Sequence, residues 1–138
     1  MRRIGLGSVS AILLLWLAGC QCGQPNRLAD TSKWGVGHAV MFWLKQPGDA
    51  DTRRRIIEAS RGFEKLPGVV SVRAGEILAS PRPNVDKSYD VAVVIFFRDQ
   101  GALEAYQIHP LHKQMLQQLG PLIDHTAAYD FTPLAPVK

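Results

Sequence analysis

Three kinds of hydropathy pattern follow one another along this chain. Val9 to Leu17 is a short apolar stretch behind Arg2 and Arg3. Residues 21–36 show no apolar period, and Gly23 and Pro25 sit there among mixed polar residues, the composition of a flexible tether. From Gly37 the apolar positions recur at strand and helix periods. His38 to Lys45 is an apolar, aromatic-rich run stopped by Gln46-Pro47-Gly48, and it reads as a strand buried on both faces. A period of two places His38, Val40, Phe42 and Leu44 on one side, with Ala39, Met41, Trp43 and Lys45 on the other. Asp49 or Asp51 caps the next element. Thr52 to Leu66 has helical spacing, with Ile56, Ala59, Phe63 and Leu66 inward and Arg53, Arg54, Glu58, Arg61 and Lys65 mostly outward. Pro67-Gly68 ends it.

Val69 to Ala79 alternates as a second strand, and 80–88 is a polar, Pro-rich loop. Tyr89 to Phe97 carries the strongest strand pattern in the chain. Asp99 opens a short helix to about Tyr106, and Pro110 starts another to about Leu119. Ile123 to Phe131 is the last strand, and 134–138 is a tail. The order β-α-β-β-α-β predicts a ferredoxin-like α+β fold, one antiparallel sheet with helices on one face. The first and last strands are not expected to be neighbours in that order, so no distance between His38 and Asp130 follows. Two strands are apolar on both faces, yet one helix layer covers only one. A half-bare sheet marks an interaction surface. The simplest cover is a second copy, sheet against sheet, which predicts a homodimer in the form of a dimeric α+β barrel.

Composition sharpens the picture at the N-terminus. The chain has 138 residues, room for one domain. Arg2 and Arg3, the apolar stretch and Leu17-Ala18-Gly19-Cys20 make the three zones of an export signal. The last four residues resemble the lipobox of bacterial lipoproteins. That resemblance implies removal of 1–19, acylation of Cys20, a tether over 20–36 and an envelope location on a membrane. Gln21 resembles the sorting signal for the periplasmic face of the outer membrane in organisms with two membranes. Cys22 is then left without a partner; a second acylation site, a free thiol and no role at all are its readings. Loss of Arg2 and Arg3 lowers the formal +4 by two, too little and too scattered a charge for nucleic acid. No second apolar run approaches the ~20 residues that span a bilayer. Arg53-Arg54-Arg55 reads as a solvated face in preference to a patch for anionic lipid headgroups.

Candidate chemistry gathers at His109-Pro110-Leu111-His112, just after Tyr106. Tyr106 and His109 are three apart, as are His109 and His112, so on helical spacing they share a face. A neutral histidine takes a proton at ordinary pH, and a tyrosine hydroxyl partners a base or an oxyanion. Phe42, Trp43, Phe63 and Leu103 offer an apolar wall. The same residues also fit a plain structural role, with His-Pro-x-His capping backbone groups and Tyr106 closing the core. His109 and His112 have metal-ligand spacing, but no Asp, Glu or Cys lies close enough to complete a site, so neither metal nor cofactor is expected.

Several strings fit one known pattern: the strand led by His38, Gly68 to Glu76 (GVVSVRAGE), Tyr89-Asp90-Val91-Ala92, Phe97 to His112 with its Y-x-x-H-P-x-H core, and Tyr129-Asp130-Phe131. Together, over about 37–133, they resemble the stress-responsive A/B barrel (Dabb) family. The resemblance implies a dimeric α+β barrel. A plant polyketide cyclase of that family closes its product with a Tyr–His pair. Tyr106 and His112 match that pair, His38 and Asp130 match pocket positions, and a pocket tyrosine on the cyclase's first helix falls at about Ala59. The expected function is binding of a small apolar or aromatic ligand, with His38, Phe42, Phe63, His109 and Asp130 at the site. The alternative is an acid–base enzyme with His112 as base and Tyr106 as partner.

Overall fold

Four stretches rich in β-branched and aromatic residues become strands, and three amphipathic stretches become helices. The computed structural model describes residues 34–134. The export segment, Cys20, Cys22, most of the tether and the end of the tail lie outside the described residues. The elements are β1 (Val36–Leu44), α1 (Ala50–Arg61), β2 (Val69–Glu76), β3 (Val91–Phe97), α2 (Gln100–Ile108), α3 (Pro110–Leu119) and β4 (Ile123–Phe131). Single 3-10 turns at Gly62–Lys65 and Gly120–Leu122 extend α1 and α3. This is the expected ferredoxin-like α+β order. β1 starts earlier than expected: Val36 already pairs with Phe97, the Gly35 amide donates to the Phe97 carbonyl, and Trp34 stacks on Phe96.

The sheet order is β2-β3-β1-β4, with every pair antiparallel. The expectation that the first and last strands lie apart is therefore corrected. Each helical crossover skips one strand, the one supplied by the other half of the fold. The second crossover thus leaps β1 and lands β4 on its far side, where His38 lies directly opposite Asp130.

Alternation in β1 and β3 decides which face is covered. Phe42 and Leu44 of β1 and Val91, Val93, Ile95 and Phe97 of β3 are buried against the helices. Ile56 and Phe63, Leu103 and Tyr106, and Met115 and Leu119 meet them from the three helical segments. Loss of this apolar surface from water is the main stabilising term. On α1 the inward face runs through Thr52, Ile56 and Ser60, with Ala59 only half-buried. The helix ends at Arg61, five residues before the expected stop, because the chain tightens into a 3-10 turn. Gly68 then turns with φ +81°, and a Cβ there would come within 2.4 Å of the Ala102 Cβ, so only glycine fits.

One buried acid organises the loop after β1. Asp90 accepts from the Leu44 amide at 3.0 Å and the Gly48 amide at 2.6 Å, and it pairs with Arg53 at 3.1 Å. Arg53 also reaches Glu76 at 3.2 Å. The reading of Arg53 as part of a solvated run is thus corrected; Arg54 lies outside, bonded to Asp51. Asp49, not Asp51, caps α1, accepting from Thr52.

Candidate functional site

Between the covered face of the sheet and the helices lies a cavity of about 190 Å³. Its walls are mostly apolar, with Val40, Phe42, Phe63, Val93, Met115 and Ala128 among them. Three ring side chains with polar atoms border it: His38 from β1, Tyr106 from α2 and His112 from α3. Tyr106 joins them. Its ring lies 6.0 Å from His38 and 4.4 Å from His112 between centroids, and it packs edge-on against Phe63 at 5.1 Å. Burial pushes its hydroxyl far above the ordinary tyrosine range, so it stays a neutral O–H.

The His-Pro-x-His string divides its two histidines between two jobs. Pro110 has no N–H, and the Leu111 amide donates to His109 Nδ1 at 3.1 Å. His109 is therefore the N-cap of α3. The Gln107 carbonyl, at the end of α2, takes a side chain instead: His112 Nδ1 donates to it at 3.1 Å. A carbonyl oxygen only accepts, so the proton of neutral His112 is on Nδ1 and Nε2 keeps its lone pair. Burial lowers the pKa of His112, and the nearby His38 lowers it further, against the opposing pull of the Gln107 bond. His112 is thus neutral at pH 7.

His38 is held the same way from the other side. It is buried, and its Nδ1 lies 2.5 Å from Asp130 Oδ1 across the β1–β4 pair. Asp130 is half exposed and opens on a separate, polar depression beside Gln100, Glu104 and Gln107.

The structure thus gathers His38, Phe42, Phe63, Tyr106 and His112 around one cavity, with Asp130 behind His38. His109 is occupied as a cap and does not line the cavity. Two expected wall residues lie elsewhere. Trp43 points to the opposite face of the sheet, where it stacks on His125 at 4.5 Å and donates to Ser88 at 3.0 Å. Leu103 fills the core beside Val36. Sequence reasoning missed Ser60, Gln107, Thr126 and Ala128. Ser60 follows Ile56 by one turn and was legible from that spacing. Thr126 and Ala128 needed the β1–β4 register. Among the described residues no group of three or more His, Cys, Asp or Glu gathers as a metal site, and no helix is long and apolar enough to cross a membrane.

Sheet order and helix placement define a ferredoxin-like α+β protein. The Dabb pattern, Stress responsive A/B Barrel Domain, matches residues 36–133, and the chain belongs to that family. No curated protein matches it. Solved structures share the fold. A dimeric ferredoxin-like protein of unknown function from Thermobifida fusca is 23% identical, with a TM-score of 0.60 over 72% of this chain and 92% of its own. A Dabb protein from Mesorhizobium loti is 24% identical, with a TM-score of 0.58 over 74% and 99%. The hydroxynitrile lyase from Passiflora edulis is 12% identical, with a TM-score of 0.64 over 77% and 99%.

Proposed function

We propose that this chain is a homodimeric, lipid-anchored envelope protein whose cavity binds a small, largely apolar ligand. The observation that carries the ligand reading is the cavity itself, apolar along its walls and polar where His38, Tyr106 and His112 meet. Ligand sites have this make-up. Its volume is below the ~300 Å³ at which drug-sized sites begin, and close to the ~150 Å³ that accommodates benzene. A single substituted ring is the matching size. The dimer reading rests on the uncovered sheet face and on the dimeric relative from Thermobifida fusca. The anchor rests on the Leu17-Ala18-Gly19-Cys20 string.

Native mass spectrometry of the full-length protein from its own host tests all three. The expected species is a dimer of chains that begin at an acylated Cys20, releasing a defined small mass on activation. A monomer removes the dimer, an unmodified N-terminus removes the anchor, and an empty cavity removes the resident ligand.

One arrangement favours a second reading, an acid–base enzyme. His112 keeps Nε2 as an acceptor, and its ring lies 4.4 Å from that of Tyr106 between centroids, which brings a base and a hydrogen-bond donor into one cavity as proton abstraction needs. The same fold carries a lyase in Passiflora edulis. On this reading His112→Phe abolishes turnover while the protein still folds; a fully active variant rejects it.

A further inference from the structure

Within that ligand-binding reading, the hydrogen bonds around the cavity specify what kind of polar group its occupant carries. Three side chains that border the cavity have their protons directed away from it. His112 Nδ1 donates to the Gln107 carbonyl at 3.1 Å. The Ser60 hydroxyl donates to the Ile56 carbonyl at 2.8 Å, and Ser60 is fully buried. His38 Nδ1 lies 2.5 Å from the Asp130 carboxylate, which accepts its proton. The Ser60 oxygen keeps a second acceptor site and Nε2 of neutral His112 keeps its lone pair, as does Nε2 of His38 in its neutral form.

We infer that the cavity selects a small ring-bearing molecule with a hydrogen-bond donor, a hydroxyl or N–H, over one of the same size that offers only acceptors. An acceptor-only ligand would set its lone pairs against those of His38, Ser60 and His112, and would find donors in the Tyr106 hydroxyl and, at the exposed rim, in Gln107 and Thr126. A polar group left unpaired in such a site costs more than a satisfied one contributes. A hydroxyl-bearing ring meets an acceptor and leaves Tyr106 free to donate to its oxygen.

Two backbone carbonyls and one carboxylate set this sense, so protonation alone reverses it. When His112 takes a second proton, Nε2 becomes a donor and the cavity gains a positive charge. The ionisable groups that share the cavity with it are His38 on β1, backed by Asp130 on β4, and Tyr106 on α2. α1 and β3 contribute only uncharged side chains, Ser60, Phe63 and Val93. Among the described residues no carboxylate lines the cavity to offset that charge, and it favours an anionic ring acid.

The test is to titrate the full-length protein with toluene, anisole, phenol and benzoate at pH 7.5 and again at the lower pH at which the His112 ring nitrogens report a second proton, following them by NMR. At pH 7.5 phenol should bind about tenfold more tightly than anisole and shift the unprotonated Nε2 resonance of His112, with benzoate excluded. At that lower pH the phenol preference should shrink and benzoate should bind. Equal affinity for toluene, anisole and phenol overturns the inference and leaves the apolar cavity standing. A proton found on His112 Nε2 at pH 7.5 overturns it as well. If none of the four probes binds, the ligand-binding reading falls, and this inference falls with it.

Discussion

Asp90 ties the end of β1, the loop after it and the start of α1 into one knot, through two backbone amides and Arg53. Burial alone would raise its pKa, but the Leu44 and Gly48 amides and the Arg53 charge outweigh burial and hold the carboxyl below its ordinary value. Removing it strands two amides and a partly buried guanidinium. Asp90→Ala should therefore cost about 3 kcal/mol in urea denaturation; a loss within the error of a surface mutation would refute this account of the knot. The pH profile of stability carries a second expectation. A depressed carboxyl contributes stability that is present above its unfolded value near 3.8 and lost as pH falls through the lower folded value. His112 is depressed from 6.5, so the unfolded chain binds its proton first, and stability declines as pH drops below about 6.5. Stability should thus fall in two windows, one below pH ~6.5 and one below pH ~4. His112→Phe should flatten the upper window alone, which denaturation midpoints measured across pH will show. Spacing brought Tyr106 and His112 to notice. Asp90 was read only as part of the strand that opens at Tyr89; its grip on the Leu44 and Gly48 amides went unread because the loop that folds over it is distant in the chain.

At the scale of elements, the α2–α3 junction turns a four-residue string into both a cap and a cavity wall. The sequence left open whether His109 and His112 cap backbone groups or face a ligand, and the break at Pro110 assigns one role to each. His109→Ala should cost about 1 kcal/mol as a lost N-cap while the cavity still takes up a small aromatic probe. Calorimetry with and without the probe checks both halves. Loss of binding with unchanged stability would place His109 in the cavity after all. Helix periodicity located α1 correctly, yet misjudged its inward face by one residue. Ser60, one turn after Ile56, is fully buried where Ala59 was expected, and Ala59 is half-buried against the same core.

At the scale of the whole molecule, the open face of the sheet is the feature without an intramolecular partner among the described residues. Tyr129 is 59% exposed and Phe131 44% on the same side as Met41 and Trp43. Phe131 also rests on Gly37, where a Cβ would come within 2.3 Å of its ring, so the strand has no side chain there. An aromatic surface of this kind on an edge strand and its neighbour is the expected contact between copies. Tyr129→Asp should convert a dimer into a monomer in sedimentation velocity, since a buried unpaired carboxylate is costly. A wild-type monomer at all concentrations would end this prediction and the barrel with it.

The alternation of β1 and β3, the cap at Asp99 and the turns at Gly48 and Gly68 are local matters, and the sequence determined them by itself, while it left the cap of α1 open between Asp49 and Asp51. The sequence spacing drew attention to Tyr106 and His112, but it is the break between α2 and α3 that brings their rings together. The pairing of His38 with Asp130, the contribution of Thr126 and Ala128 to the cavity, and the grip of Asp90 on the β1 loop join residues far apart in the chain. Only the tertiary structure decided them. Their cause is the crossover that places β4 beside β1 and the loop that brings residue 90 back to residue 44, which no pattern of neighbouring residues encodes. The same holds for Trp43: its period assigned it a face, but the helices chose which face of the sheet became the core.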